Sequence, residues 1–344
     1  MKKSLVALAA LAVVGAASAQ SSVTLYGVVD AAVARETGTK FSMSGSGLMN
    51  NGTSRFGFKG SEDLGGGMKA LFNMEAGFDP ETGASGFSGG QLFSRAANVS
   101  LAGNFGEFRM GRSLTPSFYG VAAWELTGTA NYSAVASQFD FAGAGPRQSS
   151  QFMYVSPSMG GFSGSLAYTA KPDNKVGANT FTGISASTGL PVLADTTKPF
   201  AAGANFAKVD ANLIYATGPV TAALSYNKTQ TQTANYALGG KYNFGMFQVA
   251  GSLQNPAGKA KGFTIGAGAN VGPVALVVDI ARDTFFKDTN VLLEAKYPLS
   301  KRTFAYAAYL NNGDRDATVA NADGAATVAV GRTRGASIGL RHNF

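Results

Sequence analysis

Few side chains in this chain are arranged to move a proton or attack a carbon. There is one histidine, His342, and no cysteine in 344 residues. Nucleophilic catalysis needs an attacking group beside a positioned base. His342 falls in Ala336-Ser337-Ile338-Gly339-Leu340-Arg341-His342-Asn343-Phe344, on the parity of Ile338, Leu340 and Phe344, which is an apolar face. No metal-ligand spacing or paired-carboxylate motif stands out, and Gly65-Gly66-Gly67 reads as a turn and not a phosphate-binding loop. No enzyme, cofactor or metal is expected. The chemistry left is fixed charge, and two arginines stand where it can act. Arg55 opposes Phe56 and Phe58, and Arg147 opposes Phe152 and Tyr154, across an alternating pattern.

The element that positions Arg55 is a hairpin. One arm is Ser54-Arg55-Phe56-Gly57-Phe58-Lys59-Gly60, the other runs from Met68 to Phe78, and Ser61 to Gly67 is read as the connection. Met68, Ala70, Phe72, Met74, Ala76 and Phe78 alternate with Lys69, Leu71, Asn73, Glu75 and Gly77. Strand side chains point to opposite faces with period two, so one face is almost wholly apolar and the other carries the charge. The charged face must be wet.

The same two-faced unit recurs along the chain. Met1-Lys2-Lys3, an apolar run from Leu5 to Ala17 and Ala17-Ser18-Ala19 describe a secretory signal peptide over residues 1–19, leaving residues 20–344 as one β domain. No later run is apolar for long enough to make a transmembrane helix, so a membrane would be crossed by strands, which need only about ten residues each. With 45 glycines, 24 Phe, 12 Tyr and 14% charged residues, the chain is too apolar for disorder. The pI near 9.5 comes from basic residues scattered over strands, which argues against a nucleic-acid surface.

In order, Val23 to Val33 reads as the first strand, Gln91 to Leu101 pairs with Gly106 to Arg112, and Arg147 to Ser156 pairs with Phe162 to Thr169. Between the last two pairs lies a long third loop, Ser113 to Pro146, with the single tryptophan, Trp124, and two acids, Glu125 and Asp140. A fourth loop runs from Lys171 to about Asn205. Tight turns then recur at Gly218-Pro219, Asn243-Phe244-Gly245, Gly272-Pro273 and Leu299-Ser300-Lys301 up to a last strand, Gly335 to Phe344. About sixteen strands, with short turns at one end and long loops at the other, make an all-β antiparallel transmembrane barrel. Lipid offers no partner to a backbone amide, so such a sheet must close, and at this size its interior holds water.

The chain resembles the Gram-negative general diffusion porins of the trimeric, 16-stranded type. The likeness rests on Val23-Thr24-Leu25-Tyr26-Gly27, Ser54-Arg55-Phe56-Gly57-Phe58-Lys59-Gly60-Ser61-Glu62-Asp63-Leu64-Gly65, Asn104-Phe105-Gly106-Glu107-Phe108-Arg109-Met110-Gly111-Arg112, Tyr154-Val155-Ser156-Pro157 and Gly339-Leu340-Arg341-His342-Asn343-Phe344. It implies an outer-membrane location and a third loop folded into the lumen. It also implies a constriction in which Arg55, Arg95 and Arg147 face Glu125. Simple alternation puts Arg95 on the outward face with Val99 and Leu101; a bulge near Ala96 and Ala97, or a position above the membrane, would reconcile the two. The Pro-Glu-Phe-Gly-Gly tip of enteric relatives is missing.

The resemblance further implies a homotrimer, contact with outer-membrane lipid and lipopolysaccharide, and recognition of terminal Phe344 by the barrel-assembly machinery. The expected function is passive diffusion of small hydrophilic solutes and ions with a modest anion preference, since positive pore linings favour anions. The alternative is a substrate-specific channel for small organic acids or sugars. A sugar channel would show aromatics along its lumen, whereas here they mostly share the apolar parity.

Overall fold

The computed structural model describes residues 21–85, 91–170, 181–184, 191–193, 207–230, 232–256, 261–313, 315–321, 324–330 and 333–344. The expected leader with its cleavage after Ala19, and most of the fourth loop, lie outside the described residues.

Sixteen strands form the wall: β1 Ser22–Glu36, β2 Arg55–Gly65, β3 Met68–Gly77, β4 Ala96–Gly103, β5 Gly106–Leu114, β6 Arg147–Val155, β7 Phe162–Thr169, β8 Lys208–Thr217, β9 Val220–Thr229, β10 Asn235–Asn243, β11 Phe247–Asn255, β12 Gly262–Val271, β13 Val274–Asp283, β14 Thr289–Pro298, β15 Thr303–Asn312 and β16 Thr333–Asn343. Each pairs antiparallel with the next, and β16 returns to β1 through Val28↔Asn343 to Glu36↔Gly335. Gly27 and Phe344 add a last rung, with N–H···O bonds of 3.1 and 3.0 Å in the two directions. The ring has no free edge.

Burial runs inside out. Val23, Leu25, Leu253, Ile265 and Ile338 are all more than half exposed, while Asp30, Gln151, Asn227, Asp283 and Glu294 are at most 4% exposed. A water-soluble sheet does the reverse; an apolar outer band with a polar interior is what hydrocarbon selects. Aromatics mark the rim of the band at the tight-turn end, with Phe108 against Tyr154 and Phe244 against Phe247.

Two expected boundaries shift. Ser61 to Gly65 belong to β2, so the first turn shrinks to Gly66 and Gly67, and Gly65, Gly66 and Gly67 all take positive φ. At that end Glu62 falls on the apolar parity of Phe56 and Phe58, so within β2 alternation carries no signal. The strand expected from Gln91 begins at Ala96, because Gln91 to Arg95 belong to the loop above it.

The connection between β5 and β6 carries two helices, α1 Pro116–Trp124 and α2 Ala134–Gly143. Thr115 caps α1 by accepting from Phe118 N at 3.1 Å, with Pro116 in the first turn where no amide is missed. Ser133 caps α2 in the same way. Both helices lie against inward-facing side chains of strands remote from the loop's roots, chiefly β8–β10 for α1 and β13 for α2. The third loop thus folds back inside the ring.

Candidate pore constriction

The third loop is fastened to one side of the wall. Ser117 donates from N and Oγ to Asp210 Oδ1 at 2.8 and 2.7 Å. Asn212 and Asn227 donate to the carbonyls of Pro116 and Ala142, and Lys208 Nζ to that of Ala144 at 2.9 Å. Farther round, Lys296 Nζ holds the Thr127 carbonyl at 2.8 Å, and Tyr132 donates to Glu294 at 2.7 Å. Burial first, then the Glu294 carboxylate, push the Tyr132 phenol well above the usual tyrosine range, so it stays a donor at any physiological pH. Trp124 lies flat on Gly239, where a Cβ would run into the indole. Only glycine fits there.

The open side of the lumen is lined by arginine. Arg55 opens β2, Arg147 opens β6, and Arg95 stands one residue before β4. The structure brings all three together around Glu75 of β3. Arg95 Nε lies 2.6 Å from Glu75 Oε1, and Arg55 Nε 3.7 Å from Oε2. Arg147 Nε donates to the Arg95 carbonyl at 3.0 Å. Tyr26 completes the Glu75 shell by donating to Oε2 at 3.0 Å.

Two further guanidiniums extend the arc. Arg112 donates to the Ser94 carbonyl and to Ser149 Oγ, and Arg341 donates to Asn51 Oδ1 at 2.7 Å. Gly52 lies between Arg341 and Arg55, with both guanidiniums within 4 Å of where its Cβ would stand. Below the arc a cleft continues between the wall and the loop, lined by Glu75, Arg95, Arg147, Glu107, Arg109 and, from α1, Tyr119.

No bulge lies between Ala96 and Ala97, but Arg95 doubles up with Ala96: its N–H reaches the Glu75 carbonyl at 3.1 Å, and Glu75 is the residue that Ala96 pairs with. The β3–β4 and β4–β5 registers run unbroken from Ala96, and because Arg95 precedes the strand, the alternation with Val99 and Leu101 does not bind it. For Arg147 counting from Phe152 is unreliable, since β6 gains a residue between Gln148 and Gln151, with Ser150 at φ +52°. Its hydrogen bond to Arg95 fixes its direction instead.

Glu125 is placed differently from the expectation. It is 4% exposed, and its carboxylate gathers Thr127 N, Thr127 Oγ1, Thr129 N and Ser133 Oγ. It ties the turn between α1 and α2, and the acid that meets the arginines is Glu75. Glu75 was visible only as a member of the wet face, because nothing in local spacing joins β3 to arginines on three other segments. Arg341 likewise opposes Ile338 and Leu340 by parity, a signal that could have found it.

A closed, apolar-coated barrel with a polar, loop-narrowed interior is a transmembrane channel. The model of the Gram-negative porin family matches residues 5–317, and the chain belongs to that family. It is 34% identical to outer membrane porin protein 32 of Delftia acidovorans and 28% identical to an outer membrane porin protein of Bordetella pertussis, each alignment covering 100% of both chains. Among solved structures, an anion-selective porin from Comamonas acidovorans superposes with a TM-score of 0.68 at 27% identity, covering 94% of this chain and 100% of that one. The chain is a porin of the Gram-negative outer membrane, a passive diffusion channel.

Proposed function

We propose that Arg55, Arg95 and Arg147, extended by Arg112 and Arg341, form an anion-favouring filter across the narrowest part of the pore. The observation that carries this reading is the shared acid: the Arg55 and Arg95 guanidiniums divide one carboxylate, Glu75, while that of Arg147 rests on the Arg95 carbonyl, so the wall keeps a positive excess. Likeness to a porin described as anion-selective supports it. Solutes would pass down their gradients, sized by the gap between the third loop and the arginine wall and sorted by its field. Glu125 acts in this reading as the loop's internal tie and not as a filter acid.

The lumen-facing parity of the described wall carries few aromatics, which favours general diffusion over a sugar-specific channel. A trimeric assembly, removal of residues 1–19 and recognition of Phe344 during assembly belong to the same reading. The test is the reversal potential of the purified protein in planar bilayers under a salt gradient. Wild type should lie on the anion side, and Arg55→Ala with Arg147→Ala should move it toward cation preference. An unmoved potential removes these arginines from the filter.

A further inference from the structure

The first loop also enters the ring. Met49, Asn50, Asn51 and Ser54 are at most 3% exposed, although they belong to the connection between β1 and β2 and to no strand or helix. Asn50 Nδ2 and Gly52 N donate to the two oxygens of Asp30 at 2.9 and 3.0 Å, and Tyr306 Oη donates to the first of these at 2.6 Å. Met49 lies on Gly335, in an apolar cluster with Tyr132, Leu292 and Leu310. Asn51, held from both sides, stands on a fixed post.

Its carboxamide joins two parts of the pore that are far apart in the chain, Arg341 of β16 and Tyr132 of the third loop. Arg341 Nη1 donates to Asn51 Oδ1 at 2.7 Å, Asn51 Nδ2 donates to Tyr132 Oη at 2.8 Å, and Tyr132 donates to Glu294 at 2.7 Å. A guanidinium has no acceptor, and the single hydroxyl hydrogen of Tyr132 is already on Glu294, so the group between them must accept on one side and donate on the other. A carboxamide does both and carries no charge.

That neutrality decides what becomes of the Arg341 charge. Asp30 lies directly opposite Arg341 in the β1–β16 register, yet its oxygens are taken by Asn50, Gly52 and Tyr306. Arg341 instead meets Asn51, Asn343 Oδ1 at 3.3 Å and the face of the Phe304 ring, all of them neutral. Its charge is left to the lumen.

We propose that Asn51 is a positioning residue of the pore, holding Arg341 in the arc with its charge uncancelled and tethering the third loop through Tyr132. The first role rests on the arginine filter; the second does not. Substitutions recorded in planar bilayers separate them. Arg341→Gln should lower the chloride-to-potassium permeability ratio about two-fold, the effect of one unit charge acting through screened water, with quiet currents. Tyr132→Phe should raise open-channel noise and leave the ratio at its wild-type value. Asn51→Leu should do both, since Arg341 then turns to Asp30 and the third loop loses its post.

Combining Asn51→Leu with Arg341→Gln should lower the ratio no further than Arg341→Gln alone, and combining it with Tyr132→Phe should add no noise. If Asn51→Leu does not assemble, Asn51→Ser, too short to span both partners, reads out the same effects. A wild-type ratio in Asn51→Leu beside a lowered one in Arg341→Gln overturns the first role. Wild-type noise, or noise that adds to that of Tyr132→Phe, overturns the second. An unmoved ratio in Arg341→Gln also overturns the first role, and Arg55→Ala with Arg147→Ala, recorded alongside, shows whether the filter itself has failed.

Discussion

Glu75 is where arginines from separate segments meet, and its removal tests the filter from the opposite direction to an arginine substitution. Glu75→Gln keeps the shape and two hydrogen-bonding atoms but deletes the negative charge beside Arg55 and Arg95. The permeability ratio of chloride over potassium should rise, read as a reversal potential shifted farther to the anion side. Glu125→Ala should behave in the opposite manner. It strips the acceptor from two backbone amides and two hydroxyls, and each buried donor left without a partner costs about 1–3 kcal/mol. The outcome expected is faster proteolysis within residues 115–146 and noisier single-channel currents, with the reversal potential unchanged.

At the scale of elements, the third loop holds its place chiefly through contacts to β8–β10, β13 and β14, with Asn51 on Tyr132 and Arg109 on Tyr119 beyond them. Trp124 packs over Gly239, where a Cβ would run into the indole, so Gly239→Val should lever α1 off the wall. Conductance should then increase and discrimination between small and large solutes weaken in liposome swelling. The strands themselves were legible: alternation through Phe56, Phe58, Phe72 and Met74, and again through Leu166 and Tyr168, tells which face meets lipid, because hydrocarbon enforces the pattern residue by residue. Arg55 was legible for the same reason. Arg95 was not, since it lies just outside a strand, and the two helices of the third loop were not, since their positions depend on polar contacts to Asp210, Asn227 and Glu294 far along the chain. Local periodicity reports a neighbour's face and says nothing of which distant strand will supply a partner.

For the molecule as a whole, the closed hydrogen-bonded ring and the outward apolar band fix the medium, and the arginine arc fixes the sign of the field within. Screening sets how far that field extends: the Debye length falls from about 10 Å at 0.1 M salt to about 3 Å at 1 M. Anion preference should therefore decline steadily as recordings move from dilute to concentrated salt. A preference indifferent to ionic strength would point to size and not charge.

The neck of the third loop has a final consequence. Thr115 N donates to the Pro146 carbonyl at 3.1 Å and Leu114 pairs with Arg147, so the loop is pinched shut at the residue where the arginine arc begins. Aperture and polarity are thereby mechanically joined. Lengthening or shortening this insert cannot merely widen the passage; it must also drag a cation, so any redesign of throughput will retune which ions are admitted.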